Sequence, residues 1–153
     1  MSINDEQIWT CIGNKGPCCF KVQLSHPPRK FCKNENNVTG LCCRSACPLA
    51  NSSYATVVEK EGDLFLKIKT VERAHMPNRL WETIPLSKNF AEALQKVDEE
   101  MHLMNPTMIN RVKARLVKLR QMLIRSRRLE LSMRPTLVRE KFKISYKKIK
   151  NSS

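Results

Sequence analysis

The sequence predicts an α+β fold: a small antiparallel sheet with a four-cysteine metal site, followed by helices and a long basic C-terminal helix and tail. Three observations predict it. Thr56-Val57-Val58 and Leu64 to Ile68 flank Lys60-Glu61-Gly62-Asp63, and a glycine in a short polar turn between apolar runs marks a hairpin. Four of the seven cysteines, Cys32, Cys42, Cys43 and Cys47, crowd into sixteen residues punctuated by Gly40 and Pro48. The 28 basic and 14 acidic residues are also unevenly placed: residues 1–104 hold 13 Lys/Arg against 12 Asp/Glu, and residues 105–153 hold 15 against 2. The domain division read from this is 1–104, a platform, and 105–153, a basic helix and extended tail.

Along the chain, residues 5–12 suit a short helix, with Asp5 as its cap and Ile8, Trp9 and Ile12 on one face. Residues 18–24 alternate weakly and read as a strand. A lone hairpin is marginal in water, so strand 18–24 is expected to join the hairpin of residues 56–68. In that hairpin Leu64, Leu66 and Ile68 share one face. Residues 71–86 read as a connector with a short helix beginning at Pro77, and Leu80, Trp81 and Ile84 on its face. Ser87 or Asn89 caps a helix over 89–103, whose stripe Phe90, Leu94, Val97 and Met101 is expected to cover the sheet.

Asn105 and Pro106 open the next helix. Ile109, Val112, Leu116, Leu119 and Leu123 recur at three and four, a seam that wants the platform or a partner protein. Arg111, Arg115, Lys118 and Arg125 form a second stripe; Lys113, Arg120 and Arg127, with Arg128 beside it, a third. Arg134-Pro135 is expected to end the helix near Leu131. Beyond it Phe142, Ile144 and Tyr146 alternate with Lys141, Lys143 and Lys147, followed by Lys148, as an extended tail whose aromatics suit stacking on unpaired bases or ordinary packing.

Two features carry chemistry. Zinc takes about four ligands in a tetrahedron, and thiolates suit it. Cys18 and Cys32 can form one arm, Cys42 and Cys47 the other. Cys43 and Cys19 each adjoin a chosen ligand and diverge from it, and Cys11 lies in the first helix. Inert buried thiols and redox chemistry are the alternatives, and an iron–sulfur cluster uses the same four ligands. The basic helix has a bland reading as a solvated face, but with two acids in 49 residues its charges lack internal partners, which favours phosphate binding, nucleic acid ahead of acidic lipid. Against catalysis, His26, His75 and His102 are isolated, and there is no Gly-rich phosphate loop, HExxH or GxSxG. Met1-Ser-Ile-Asn-Asp-Glu lacks the pattern of a signal peptide, and no run approaches a membrane span. The expectation is therefore not an enzyme, with no small-molecule substrate and no membrane partner. Asn37-Val-Thr and Asn51-Ser-Ser fit the glycosylation sequon by chance.

FCKNENNVTGLCCRSACPLANSSYATV (31–57) and TVERAHMPNRLWETIPLSKNFAEALQKVDEEM (70–101) closely resemble the maintenance-of-killer protein sixteen family of ribosome-assembly factors. The match runs in order from about Ile8 to Leu131. Its departures are small: Lys33, Asn36, Ala46, Phe90, Lys96 and Val97 replace the family's Arg, Tyr, Ser, Tyr, Gln and Ile. The first part is distantly similar to the eukaryotic large-subunit ribosomal protein L-twenty-eight-e, an α+β RNA-binding fold. The resemblance implies a nucleolar, non-catalytic factor that binds precursor large-subunit ribosomal RNA alongside other assembly factors and ribosomal proteins. The family's cysteine positions fall on Cys18, Cys32, Cys42 and Cys47, which implies structural zinc. Its Arg- and Lys-rich segment falls on Lys113, Arg115, Lys118, Arg125, Arg127 and Arg128. Family members usually continue into further helices and an acidic tail, so contacts made by those parts are not carried over. A structural protein of the mature large subunit and a nucleolar interaction adaptor are the other readings.

Overall fold

The structure is a computed structural model that describes residues 3–13, 16–26 and 29–150, with side chains to Ser132. It is α+β. Helix α1 (Ile3–Ile12) precedes strands β1 (Lys21–Leu24) and β2 (Arg29–Cys32). After a 3-10 turn at Arg44–Ala46 come β3 (Tyr54–Lys60), β4 (Asp63–Lys69) and β5 (Trp81–Pro85), then helices α2 (Phe90–Glu100) and α3 (Pro106–Lys150). The chain forms two compact units, Met1–Val117 and Lys118–Ser153.

The hairpin is as expected. β3 and β4 pair antiparallel from Tyr54↔Lys69 to Lys60↔Asp63. Glu61 and Gly62 form its two-residue loop with φ of 55° and 87°, the double positive φ whose twist matches the flanking strands. Glu61 bears the cost of a left-handed conformation, and the Glu59 carboxylate helps by accepting the Gly62 N–H at 2.7 Å. Leu64, Leu66 and Ile68 are buried on one face, as alternation requires.

The third strand is not the expected one. β1 pairs with β2 in a separate two-stranded ribbon, from Lys21↔Cys32 to Leu24↔Arg29. β5 pairs instead with the open edge of β4, from Phe65↔Pro85 to Lys69↔Trp81. Residues 80–84 therefore do not continue the short helix expected there, whose observed extent is the 3-10 turn Pro77–Arg79. A run of five residues fits either period, and the edge of β4 decides between them. In that ribbon Val22 and Phe31 face each other across the two strands.

Asn89 caps α2, its side chain accepting the Ala91 N–H at 3.2 Å. Ser87 and Asn89 both donate to the Glu92 carboxylate and hold it below the usual carboxyl range. The buried face of α2 carries Ala93 and Val97, continuing to Met101; Phe90 and Leu94 are half-buried at its margin. In α3 the seam residues Val112 and Leu116 are fully buried. They belong to the same compact unit as the hairpin, and each contributes roughly 1.5–3 kcal/mol by burial.

α3 also corrects an expectation. Its backbone is helical from Pro106 to Lys150, through Arg134-Pro135 and the segment read as an extended tail. A proline inside a helix costs about 3 kcal/mol and one backbone hydrogen bond. The sequence around it, rich in Leu, Arg and Lys and free of Gly, keeps the helix in register, and an extended segment there has no partner strand. The alternation of Phe142, Ile144 and Tyr146 therefore sits on a helix.

Candidate functional site

The knuckle between Cys32 and Tyr54 is built from a few backbone-seeking side chains. Asn37, 1% exposed, accepts the Thr39 and Gly40 N–H groups on Oδ1 at 3.0 and 2.8 Å, and its Nδ2 donates to the Leu41 carbonyl at 3.0 Å. One amide side chain thus closes the Asn37-Val-Thr-Gly40 turn, with Gly40 at φ 75°. The chain then runs back along β2. A bridge joins Phe31 and Leu41, and Cys42 N–H donates to the Lys30 carbonyl at 3.0 Å. Asn51 ties down the next turn, donating to the Arg44 and Cys47 carbonyls at 2.8 and 2.7 Å. Both sequon asparagines are spent inside the fold.

Tyr54 spans the two halves of the knuckle. Its hydroxyl accepts the Val38 N–H at 2.9 Å and donates to the Ala46 carbonyl at 2.7 Å, all within the core. Burial lifts its pKa far above the ordinary tyrosine range, against the Val38 hydrogen bond and the Arg115 charge, so the hydroxyl remains a donor. Tyr54→Phe strands both partners. We expect it to cost about 1–3 kcal/mol, read as a lower urea midpoint with an unchanged denaturant slope; an unchanged midpoint would show that the hydroxyl contributes nothing.

These turns bring four thiols together. Cys18, Cys32, Cys42 and Cys47 line one cavity of ≈ 10 Å³, closed by Trp9, Ile12 and Phe20. Cys42 senses its neighbours: burial raises its pKa, Lys21 lowers it, and Cys32, Cys47 and Cys18 raise it further. Lys21 is anchored by the Gly13 and Gly16 carbonyls. Cys11, Cys19 and Cys43 do not line the cavity; Cys43 lies 3.8 Å from the Ser45 hydroxyl. Among the described residues no group of three or more His, Cys, Asp or Glu side chains stands close enough to hold a metal ion as placed.

The basic residues divide sharply by what they touch. Arg115 turns inward. Its Nε donates to the Val57 carbonyl at 2.6 Å, and its two terminal nitrogens donate to the Asn37 and Glu35 carbonyls at 2.8 and 3.1 Å. Arg111 donates to the Ser45 carbonyl at 2.9 Å. Lys113 pairs with the Asp98 carboxylate at 2.5 Å. Arg120 is half-buried. Lys118, Arg125, Arg127 and Arg128 are exposed. The side chains of Lys141, Lys143, Lys147 and Lys148 lie outside the described residues. The inward role of Arg115 has no local signal, since its three acceptors lie 58 to 80 residues earlier in the chain. The histidines stand apart: His26 and His75 are exposed, and His102 bonds the Glu99 carbonyl at 2.8 Å. Among the described residues no helix is long and apolar enough to cross a membrane.

The chain belongs to the ribosomal L28e protein family, which it matches over residues 7–122. It is also similar to two curated proteins. One is the protein MAK16 homolog of Dictyostelium discoideum, 48% identical over 135 residues, covering 88% of this chain and 43% of that protein. The other is the protein MAK16 homolog of Schistosoma mansoni, 42% identical over 134 residues, covering 88% of this chain and 51% of that protein. The chain thus spans about half the length of the curated relatives it matches.

Proposed function

We propose that this chain is a non-catalytic ribosome-assembly factor. It binds precursor large-subunit ribosomal RNA, and other assembly factors beside it, in the nucleolus. The observation that carries this reading is the segregation of charge, 15 basic residues against 2 acidic ones after residue 104, in a chain of a ribosomal protein family. Exposed Lys118, Arg125, Arg127 and Arg128 are the first contacts to phosphate, and the lysines of the C-terminal segment extend them. Arg115 and Lys113 serve the fold instead, because their charges are already engaged.

The knuckle's part in this reading is structural. Cys18, Cys32, Cys42 and Cys47 offer a soft sulfur donor set around one cavity, which suits zinc ahead of an iron–sulfur cluster. An ion there has to draw the sulfurs closer than they stand. When bound, zinc supplies cross-linking free energy and no chemistry. The protein's own residues, Asn37, Asn51 and Tyr54, hold the turns that present the thiols.

Replacing Lys118, Arg125, Arg127 and Arg128 together by glutamine is expected to weaken RNA binding and flatten its salt dependence. Each lost phosphate contact removes about 0.7–0.9 from the slope of log affinity against log salt, so about three units are at stake. RNA affinity indifferent to salt, or untouched by this variant, would defeat the reading. Fluorescent tagging tests the nucleolar placement. Membership of a ribosomal protein family favours a second reading, a structural protein of the mature large subunit. Co-sedimentation with translating ribosomes at unit stoichiometry would establish that one instead.

A further inference from the structure

The β1–β2 ribbon has two faces with different surroundings. Alternation puts Lys21, Cys32 and Cys42 on one face, and all three line the thiol cavity. The other face carries Val22, Phe31 and Leu41 in one row, since Phe31 pairs with Val22 on one side and bridges to Leu41 on the other. Leu24 and Arg29 form the next row of that face. The Lys33 N–H donates to the Phe20 carbonyl at 2.8 Å and carries the pairing one step further, so alternation places Lys33 there as well. None of these side chains is buried. Leu24 and Leu41 are each 45% exposed, Arg29 and Lys33 are exposed, and Val22 and Phe31 are half-buried.

Charge sets what this face accepts. Residues 16–43 hold Lys21, Arg29, Lys30 and Lys33 against Glu35, net +3, whereas the rest of residues 1–104 holds 9 basic residues against 11 acidic ones. The acids of α1 are engaged elsewhere, Asp5 by the Ser52 hydroxyl and Glu6 by Arg44. The ribbon is thus a positive island on a platform that is otherwise slightly negative. Arg29 and Lys33 stand two residues to either side of Phe31, about 13 Å apart at 3.3–3.4 Å per residue. An aromatic ring between two cations on an open strand surface stacks an unpaired base while the cations neutralise the phosphates beside it. A duplex keeps its base faces inside the helix and offers this ring nothing to stack on. The pleated surface also suits a flat base better than the side of a protein helix, which beds in a groove.

We infer that this outer face of the ribbon is a stacking platform for unpaired RNA, with a base on Phe31 and the flanking phosphates on Arg29 and Lys33. This rests on the RNA-binding reading and adds a single-strand contact to the electrostatic grip of α3. Phe31 and Cys32, neighbours in β2, then serve opposite faces of one strand.

Phe31→Leu in the full chain tests the stack. It keeps an apolar side chain between Val22 and Leu41 and removes the ring. The variant is expected to stay folded and to bind a short oligouridine strand at least about fivefold more weakly, with its salt slope unchanged. Its binding to an RNA duplex is expected to match the parent. Phe31→Tyr, which keeps the ring, is expected to retain the strand affinity. Arg29→Gln combined with Lys33→Gln is expected to lower the salt slope on the strand by about 1.4, at about 0.7 for each phosphate of a single strand. An unchanged oligouridine affinity in Phe31→Leu, an equal loss on strand and duplex, or an equal loss in Phe31→Tyr would overturn the platform and leave the RNA reading standing. RNA binding intact in all three variants, with an acidic partner protein lost from them, would overturn it in favour of a protein contact. Failure of the parent chain to bind either RNA would defeat the RNA reading itself.

Discussion

Cys42→Ser is expected to unfold the stretch from Phe31 to Tyr54, and with it most of the platform. On the proposed zinc quartet, one lost thiolate removes a quarter of the donor set, and structural zinc contributes folding free energy outright, on the order of 10 kcal/mol in small metal domains. Few domains of this size retain that much stability in reserve. The local fold gives a second reason. Cys42 N–H is the bond that returns the knuckle to β2, and its thiol shares a cavity with the other three. Elemental analysis of the natively purified chain is expected to find about one zinc per chain. A chelator should reproduce the loss of structure seen by circular dichroism. Cys43→Ser is expected to be mild, because that thiol does not line the cavity. A metal-free native protein, or one in which Cys42→Ser and Cys43→Ser cost the same, would reduce the quartet to ordinary buried thiols.

Arg115→Met is the second large effect, expected to cost about 3 kcal/mol. The substitution preserves most of the buried stem and removes three donors at once, leaving the carbonyls of Val57, Asn37 and Glu35 without them. A stranded buried acceptor costs about 1–3 kcal/mol, and the three here range from buried to exposed. Arg115→Lys should recover only part of this, since an ammonium cannot reproduce the planar fork. Urea denaturation reads the stability. The salt slope of RNA binding supplies the contrast: among material still folded, the slope should not change, because this charge faces the platform. A fall in slope equal to that of a Lys118 variant would instead return Arg115 to the RNA surface.

What sequence could reveal here followed locality. The β3–β4 hairpin was legible because Gly62 and the flanking apolar runs lie within a few residues of one another. The alternating face of Leu64, Leu66 and Ile68 was legible for the same reason. Cys18, Cys32, Cys42 and Cys47 were singled out by excluding crowded neighbours, and the same four thiols line one cavity. β5 was missed because five residues cannot display a period, and its identity depends on an unpaired edge supplied by β4. The helix through Pro135 is not legible locally, because the proline's penalty is a single-residue signal and the long run of good helix formers around it outweighs that penalty. The division of the basic residues was the least legible. Lys118 and Arg115 look alike in sequence, and only the distant carbonyls of Glu35, Asn37 and Val57 separate a structural arginine from an exposed lysine.

The Arg115 bonds also bear on the order in which the chain can mature. Asn37 and Val57 offer their carbonyls early in synthesis, but their donor is made only after almost sixty further residues, together with the core residues Val112 and Leu116. A nascent chain that has emerged as far as α2 therefore carries acceptors awaiting a donor and a hollow where two side chains belong. Completion of the platform is withheld until about the first three turns of the basic helix are made, so a core laid down early in synthesis is closed by a segment made late.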